Sequence, residues 1–157
     1  MLPLLDHSLL NSDMESDKPI NSQLIAPCGI NCGICLAYLR EKNKCEGCWG
    51  SDNKKPKHCV VCSIKNCENL SITDSKFCYD CPKFPCSRIK QLDKRYRTKY
   101  RMSVIDNLQL IKDYGLVKFI QLEKIKWRCK SCGGTICVHR GYCLDCDNMS
   151  NKIVSIN

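Results

Sequence analysis

Cys129-Lys-Ser-Cys132-Gly-Gly-Thr-Ile-Cys137-Val-His139-Arg-Gly-Tyr-Cys143-Leu-Asp-Cys146 sets two Cys-x-x-Cys turns ten residues apart, the spacing of a compact zinc ribbon. A Cys-x-x-Cys turn lets two sulfurs converge on one ion at about 2.3 Å, and two such turns complete a tetrahedral Cys₄ site. Gly133 directly follows the second cysteine, where a positive φ lets backbone amides approach the sulfurs and glycine adopts it without strain. Cys137 and His139 lie between the turns. They are candidate alternative or bridging ligands, although the simpler reading, which is favoured, makes them a small buried thiol and a half-exposed histidine on a short strand.

The same turn recurs at Cys32/Cys35, Cys45/Cys48, Cys59/Cys62 and Cys78/Cys81, so that six pairs account for twelve of the sixteen cysteines in 157 residues. Cys28, Cys67, Cys86 and Cys137 stand singly. Six pairs supply three complete tetrahedral sites, and the single cysteines allow a fourth, so three to four zinc ions are expected. A disulfide framework is the competitor for any chain above roughly 8 to 10% cysteine, but that composition is diagnostic mainly in short secreted proteins. Bridges within Cys-x-x-Cys loops are usually redox-active rather than structural, and six in one chain would be unusual. Metal is therefore the favoured reading.

Within the N-terminal block, Cys59-x₂-Cys62-x₄-Cys67 and Cys78-x₂-Cys81-x₄-Cys86 share one spacing at a period of nineteen residues, which marks an internal duplication of a metal loop. Four pairs make two sites there and leave Cys28, Cys67 and Cys86, which form a third with His58 or are buried thiols. Adjacent and interleaved pairings satisfy the same count, so spacing does not assign ligands to ions. It does not choose between zinc and an iron-sulfur cluster either, since four cysteines serve both. The run Cys28-x₃-Cys32-x₂-Cys35 also matches the cluster loop of radical enzymes using S-adenosylmethionine. Too few residues follow it to build the large barrel such enzymes need.

Only three Phe and two Trp are present, so a large apolar core is not expected and metal must do part of the folding. The formal charge of +9 counts every thiol as neutral. Ligation removes those protons, and three Cys₄ zinc sites would lower the total to about +3. The excess is also localised. From Arg88 to Lys130 there are thirteen Lys or Arg against four Asp or Glu, while the remainder holds twelve of each.

That basic stretch carries the conventional helical signals. Ile89, Leu92 and Tyr96 recur on one face of a helix beginning after Pro85 and running to Tyr100. A second helix is predicted from Ser103, an N-cap with Asp106 at the third helical position, to Tyr114, where Gly115 stops it. Val104, Leu108 and Ile111 face inward. A third covers Leu116 to Lys126, with Glu123 and Lys124 outward. The run Arg95-Tyr-Arg97-Thr-Lys99-Tyr-Arg101 interleaves aromatics with charge, as single-strand-binding surfaces do. It makes Arg95, Arg97, Lys99 and Arg101 candidate nucleic-acid contacts; the alternative is a solvated face whose tyrosines pack inward.

No Ser/His/Asp or Cys/His catalytic set, no paired carboxylates and no Walker or dinucleotide glycine motif is found, so no enzymatic activity is expected. Met1 to Leu10 lacks the basic start and cleavage site of a signal peptide, and no apolar run approaches a membrane span. The expectation is a cytoplasmic protein without membrane association, with Met1 or Met14 as its start.

Ala26-Pro-Cys28-Gly-Ile-Asn-Cys32-Gly-Ile-Cys35-Leu-Ala-Tyr38, Cys45-Glu-Gly-Cys48 and Phe77-Cys78-Tyr-Asp-Cys81-Pro-Lys-Phe-Pro-Cys86 together resemble the uncharacterised prokaryotic family known as domain of unknown function 3795. The resemblance spans Ile25 to Cys86 and extends toward Gly115. It implies a cytoplasmic zinc-binding domain with Cys28, Cys32, Cys35, Cys45, Cys48, Cys59, Cys62, Cys67, Cys78, Cys81 and Cys86 as recurring positions. His58 lies outside that pattern, and the C-terminal ribbon is an addition carried by some members.

The expected fold class is a small metal-stabilised α+β protein: an irregular cysteine-rich zinc-knuckle domain, short helices and a C-terminal zinc ribbon. Its parts are a flexible polar tail over 1–23, a cysteine-rich metal-binding domain with the basic helices over 24–115, a connecting helix over 116–126, the ribbon over 127–149 and a tail over 150–157. The expected role is a zinc-binding interaction or adaptor module for a macromolecular partner. The alternatives are an iron-sulfur or thiol-redox protein and a nucleic-acid-binding protein that uses the basic helices over 88–101.

Overall fold

The computed structural model describes residues 21–146, so the tails expected at the two ends lie almost wholly outside the described residues. Three single-turn helices, α1 (Leu36–Leu39), α2 (Lys57–Val60) and α3 (Glu68–Ser71), interrupt the cysteine-rich loops. Three longer ones follow, α4 (Ser87–Tyr100), α5 (Val104–Tyr114) and α6 (Leu116–Lys126), and then an antiparallel pair, β1 (Ile136–Cys137) and β2 (Tyr142–Cys143). Among the described residues no helix is long and apolar enough to cross a membrane.

Each long helix ends for a local reason. α4 stops at Arg101, which turns into the left-handed region at φ 52°. Ser103 Oγ accepts the Asp106 N–H at 3.0 Å and caps α5. Gly115, at φ +86°, donates its N–H to Ile111 O and turns the chain directly into α6.

Asp93, on α4 and 6% exposed, reaches across to the start of α5. Its carboxylate accepts the Ser103 hydroxyl at 2.7 Å, the Ile105 N–H at 3.1 Å and Arg97 Nε at 2.6 Å. Burial pulls its pKa upward, but the Ser103, Ile105 and Arg97 donors outweigh that and hold it below the usual carboxylate value. Asp93→Ala strands two of those donors and is expected to cost about 2–3 kcal/mol. The folded pKa is depressed, so the stabilisation is complete above the unfolded value of about 3.9 and is lost as pH falls through the folded one. Urea midpoints of wild type and variant should therefore differ most at neutral pH and converge in acid.

An apolar core does form, beyond the expectation from composition. Val104, Leu108, Ile111 and Phe119 from α5 and α6 are buried with Ile25, Ala26 and Ile34 from the N-terminal loop, Phe77, Ile89 and Tyr96. The loop Ala26–Asn31 is driven into the helices. Ala26 and Ile30 pair through Ala26 N–H to Ile30 O at 2.8 Å, and Gly29 at φ +87° makes the turn. Asn107 of α5 donates to Gly29 O at 2.9 Å.

Glu123 corrects the outward reading of its helix face: it is 3% exposed. Asn31, fully buried, donates to Glu123 Oε2 at 3.1 Å and accepts the Gly33 N–H on its own oxygen. Burial pushes the Glu123 carboxyl up, against the Asn31 hydrogen bond and the Lys126 charge. A buried carboxyl is retained here because its partner is an amide fixed in the cysteine loop.

Candidate metal centres

The C-terminal centre begins where α6 ends. Ile136 N–H bonds Trp127 O at 2.7 Å and Arg128 bridges Thr135, so the chain doubles back at once. Cys129 N–H bonds Gly134 O at 2.7 Å and Gly133 N–H bonds Cys129 O at 2.9 Å, closing the first turn. Gly133 takes φ +76°, as its place after the cysteine pair predicted. Pairing of Ile136 with Cys143 and of Cys137 with Tyr142 brings up the second turn.

The four sulfurs of Cys129, Cys132, Cys143 and Cys146 consequently lie within 4.8 Å of one another. Cys129 and Cys146 are 3.5 Å apart and Cys132 and Cys143 are 3.6 Å apart. A tetrahedron with metal–sulfur bonds of about 2.3 Å has edges of about 3.8 Å, so the group fits one tetrahedral ion. A β-carbon on Gly134 would sit 3.2 Å from both the Cys132 and Cys143 sulfurs. Glycine keeps that space clear.

The electrostatics also call for a cation. Amide N–H groups of Cys132 and Ser131 hold the Cys129 thiol down at about 6, which makes it a thiolate at neutral pH. The sulfurs of Cys132 and Cys129 push Cys146 up, and burial pushes Cys143 up. Cys143 and Cys146 thus hold their protons more tightly than Cys129 does. A divalent ion takes the protons' place.

The N-terminal sulfurs are grouped differently. Cys28, Cys32 and Cys45 are buried, and the Cys32 and Cys48 sulfurs approach to 3.7 Å, again close to a tetrahedral edge. Cys48 is held down at about 7, first by the Cys32 thiol, against burial, and then by Lys55 and Lys65. Burial above all raises Cys28, which also feels the charges of Cys48, Cys78 and Cys62. Cys67, Cys78, Cys81 and Cys86 line a cavity of ≈ 230 Å³ under the start of α4. Cys78 is pushed up to about 12, by burial and then by Cys86, Cys67 and Cys81. All sixteen cysteines are unbridged.

The other candidates are scattered. His58 is exposed on α2. His139 accepts the Leu36 N–H on Nδ1 at 3.2 Å and meets the Tyr96 hydroxyl with Nε2 at 3.2 Å. Burial lowers its pKa, so the ring is neutral, Nε2 carries the proton, and no lone pair is left for a metal. Arg95, Arg97, Lys99 and Arg101 are exposed, but Tyr96 is buried, and Tyr100 packs edge-on against His139 at 4.8 Å. The aromatics of the basic helix face the interior.

Fold and site together define a cysteine-rich α+β protein with a thiol tetrad able to hold a metal ion. The model of a family described as "Protein of unknown function (DUF3795)" matches residues 24–91, the segment that holds eleven of the sixteen cysteines. No curated protein and no solved structure matches the chain.

Proposed function

We propose that this is a non-enzymatic, zinc-stabilised interaction module of the cytoplasm, whose metal sites hold surface loops and helices in place for a macromolecular partner. The observation that carries the reading is the Cys129/Cys132/Cys143/Cys146 tetrad, with sulfur separations of 3.5 and 3.6 Å and space reserved by Gly134. Zinc would be held by those four sulfurs and would supply a closed, redox-inert crosslink. The chain itself supplies the amides that stabilise the thiolates.

Two faces are available to a partner: the cationic side of α4 with Arg95, Lys99 and Arg101, and the apolar outer side of α6, where Val117 and Ile125 are 72% and 76% exposed. With the tyrosines turned inward, α4 offers charge rather than a stacking platform, so a protein partner is favoured over single-stranded nucleic acid.

Elemental analysis of untagged protein with an absorption spectrum tests this reading. Colourless protein with three to four zinc per chain is expected; a brown, iron-loaded or metal-free protein would refute it. Binding to single-stranded and duplex nucleic acid over a salt series is expected to be weak and unspecific. Tight binding that falls steeply with salt would transfer the function to the basic helix.

A further inference from the structure

The segment Cys28–Cys86 contains eleven cysteines, one short of three tetrahedral sites. We propose that Cys137 is the missing ligand, completing with Cys35, Cys45 and Cys59 a thiolate metal site that clasps the C-terminal segment to the N-terminal loops. This goes beyond the zinc reading above but rests on it.

The backbone places Cys137 for this role. Val138 N–H bonds Ile34 O at 2.9 Å, which fixes Cys137 beside the Cys32–Cys35 turn, and Leu36 N–H reaches His139 on the far side of the same contact at 3.2 Å. Cys45 is brought in from the other side, its N–H bonding Ala37 O at 2.8 Å. Cys137 is fully buried although it sits on a two-residue strand of a small hairpin. The charges of Cys45 and Cys137 both act on Cys35, and Cys59 feels those of Cys48, Cys45, Cys35 and Cys62, so it stands beside both groups of sulfurs.

The remaining cysteines then divide without remainder. Cys32 faces Cys48 at 3.7 Å, and Cys28 feels the charges of Cys48, Cys78 and Cys62. The pairs Cys32/Cys35, Cys45/Cys48 and Cys59/Cys62 each send one sulfur to either of two interleaved sites, Cys28 completing one and Cys137 the other. Cys67 with Cys78, Cys81 and Cys86 forms the third around its cavity, and the C-terminal tetrad is the fourth. Of the two histidines among the described residues, His139 has both ring nitrogens occupied and His58 is exposed on α2. Among the described residues only the C-terminal tetrad already has its sulfurs within 4.8 Å. In the clasp the backbone is in place and the side chains close on the ion, since one χ1 rotamer change moves a sulfur by about 3 Å.

The test is zinc counting by native mass spectrometry on the full chain, with peptide-level alkylation by N-ethylmaleimide. Wild type is expected to hold four zinc ions with Cys137 protected. Cys137→Ser should hold three, with alkylation of Cys35, Cys45 and Cys59 at least tenfold faster and the C-terminal tetrad still protected; His139→Ala should keep four. Four ions retained by Cys137→Ser, or a zinc-loaded wild type in which Cys137 alkylates while its proposed partners stay protected, would overturn the clasp and leave the zinc reading standing. A metal-free wild type would overturn both. Should Cys137→Ser fail to fold, the wild-type ion count and the Cys137 alkylation rate decide the matter.

Discussion

Removal of metal with a strong chelator should abolish amide protection throughout residues 128–146 while leaving measurable helicity in α4 to α6. The C-terminal segment has two strands of two residues each and few buried side chains apart from its cysteines and Val138. So small a hydrophobic interior cannot offset the conformational entropy of ordering the segment. Zinc binding in small metallo-domains contributes on the order of 10 kcal/mol, which is most of their folding free energy. The three long helices instead share an apolar core of Ile89, Val104, Leu108, Ile111 and Phe119, none of which is a metal ligand. Hydrogen exchange read peptide by peptide distinguishes the two regions. Protection that persists in 128–146 at saturating chelator would mean the segment is held by something other than metal.

Gly29→Ala should be the most damaging single substitution outside the cysteines. A β-carbon at Gly29 would lie 2.9 Å from Leu108 Cγ and 2.9 Å from the carbonyl oxygen of Val104, and φ is +87°. The backbone conformation costs a side-chain-bearing residue about 1–2 kcal/mol, and the overlap adds about 1–3 kcal/mol because a helix carbonyl cannot move aside. A total loss of about 2–5 kcal/mol corresponds to a fall in Tm of about 5–15 °C for a domain of this size. Gly115→Ala is the matched control. Its φ is +86° with nothing within 4 Å of the added carbon, so only the conformational part is expected, about 1–2 kcal/mol. Equal melting temperatures for the two variants in excess zinc would show that the Pro27-Cys28-Gly29 turn does not press on α5.

The helical half of this molecule was legible because its determinants are local. Ser103, Gly115 and the spacing of Ile89 and Tyr96 or Val104, Leu108 and Ile111 act within a turn or two, and the helices observed begin and end where those residues require. The C-terminal tetrad was legible for the same reason: all four ligands fall within eighteen residues, and its geometry follows from two turns and a hairpin. Glu123 was misplaced because its partner, Asn31, is 92 residues away, and a lone acidic residue on a helix reads as solvated unless the donor it accepts from is known. The packing of Tyr96 and Tyr100 around His139 is hidden in the same way, since alternation of Tyr with Arg looks identical whether the rings point in or out. The half-buried Trp127 indole, whose N–H is itself buried without a hydrogen-bond partner of ordinary geometry, had no sequence signal at all.

The Asn31–Glu123 bond has a practical corollary for dissecting this protein. A fragment trimmed to the family-matched residues 24–91 would keep eleven thiols but discard α5, α6 and most of α4. Ile25, Ile34 and the amide of Asn31 would then be stripped of their cover, leaving a sticky, half-solvated remnant. A piece that keeps this cover must extend to the carboxylate in the third long helix, well past the stretch that the family model matches.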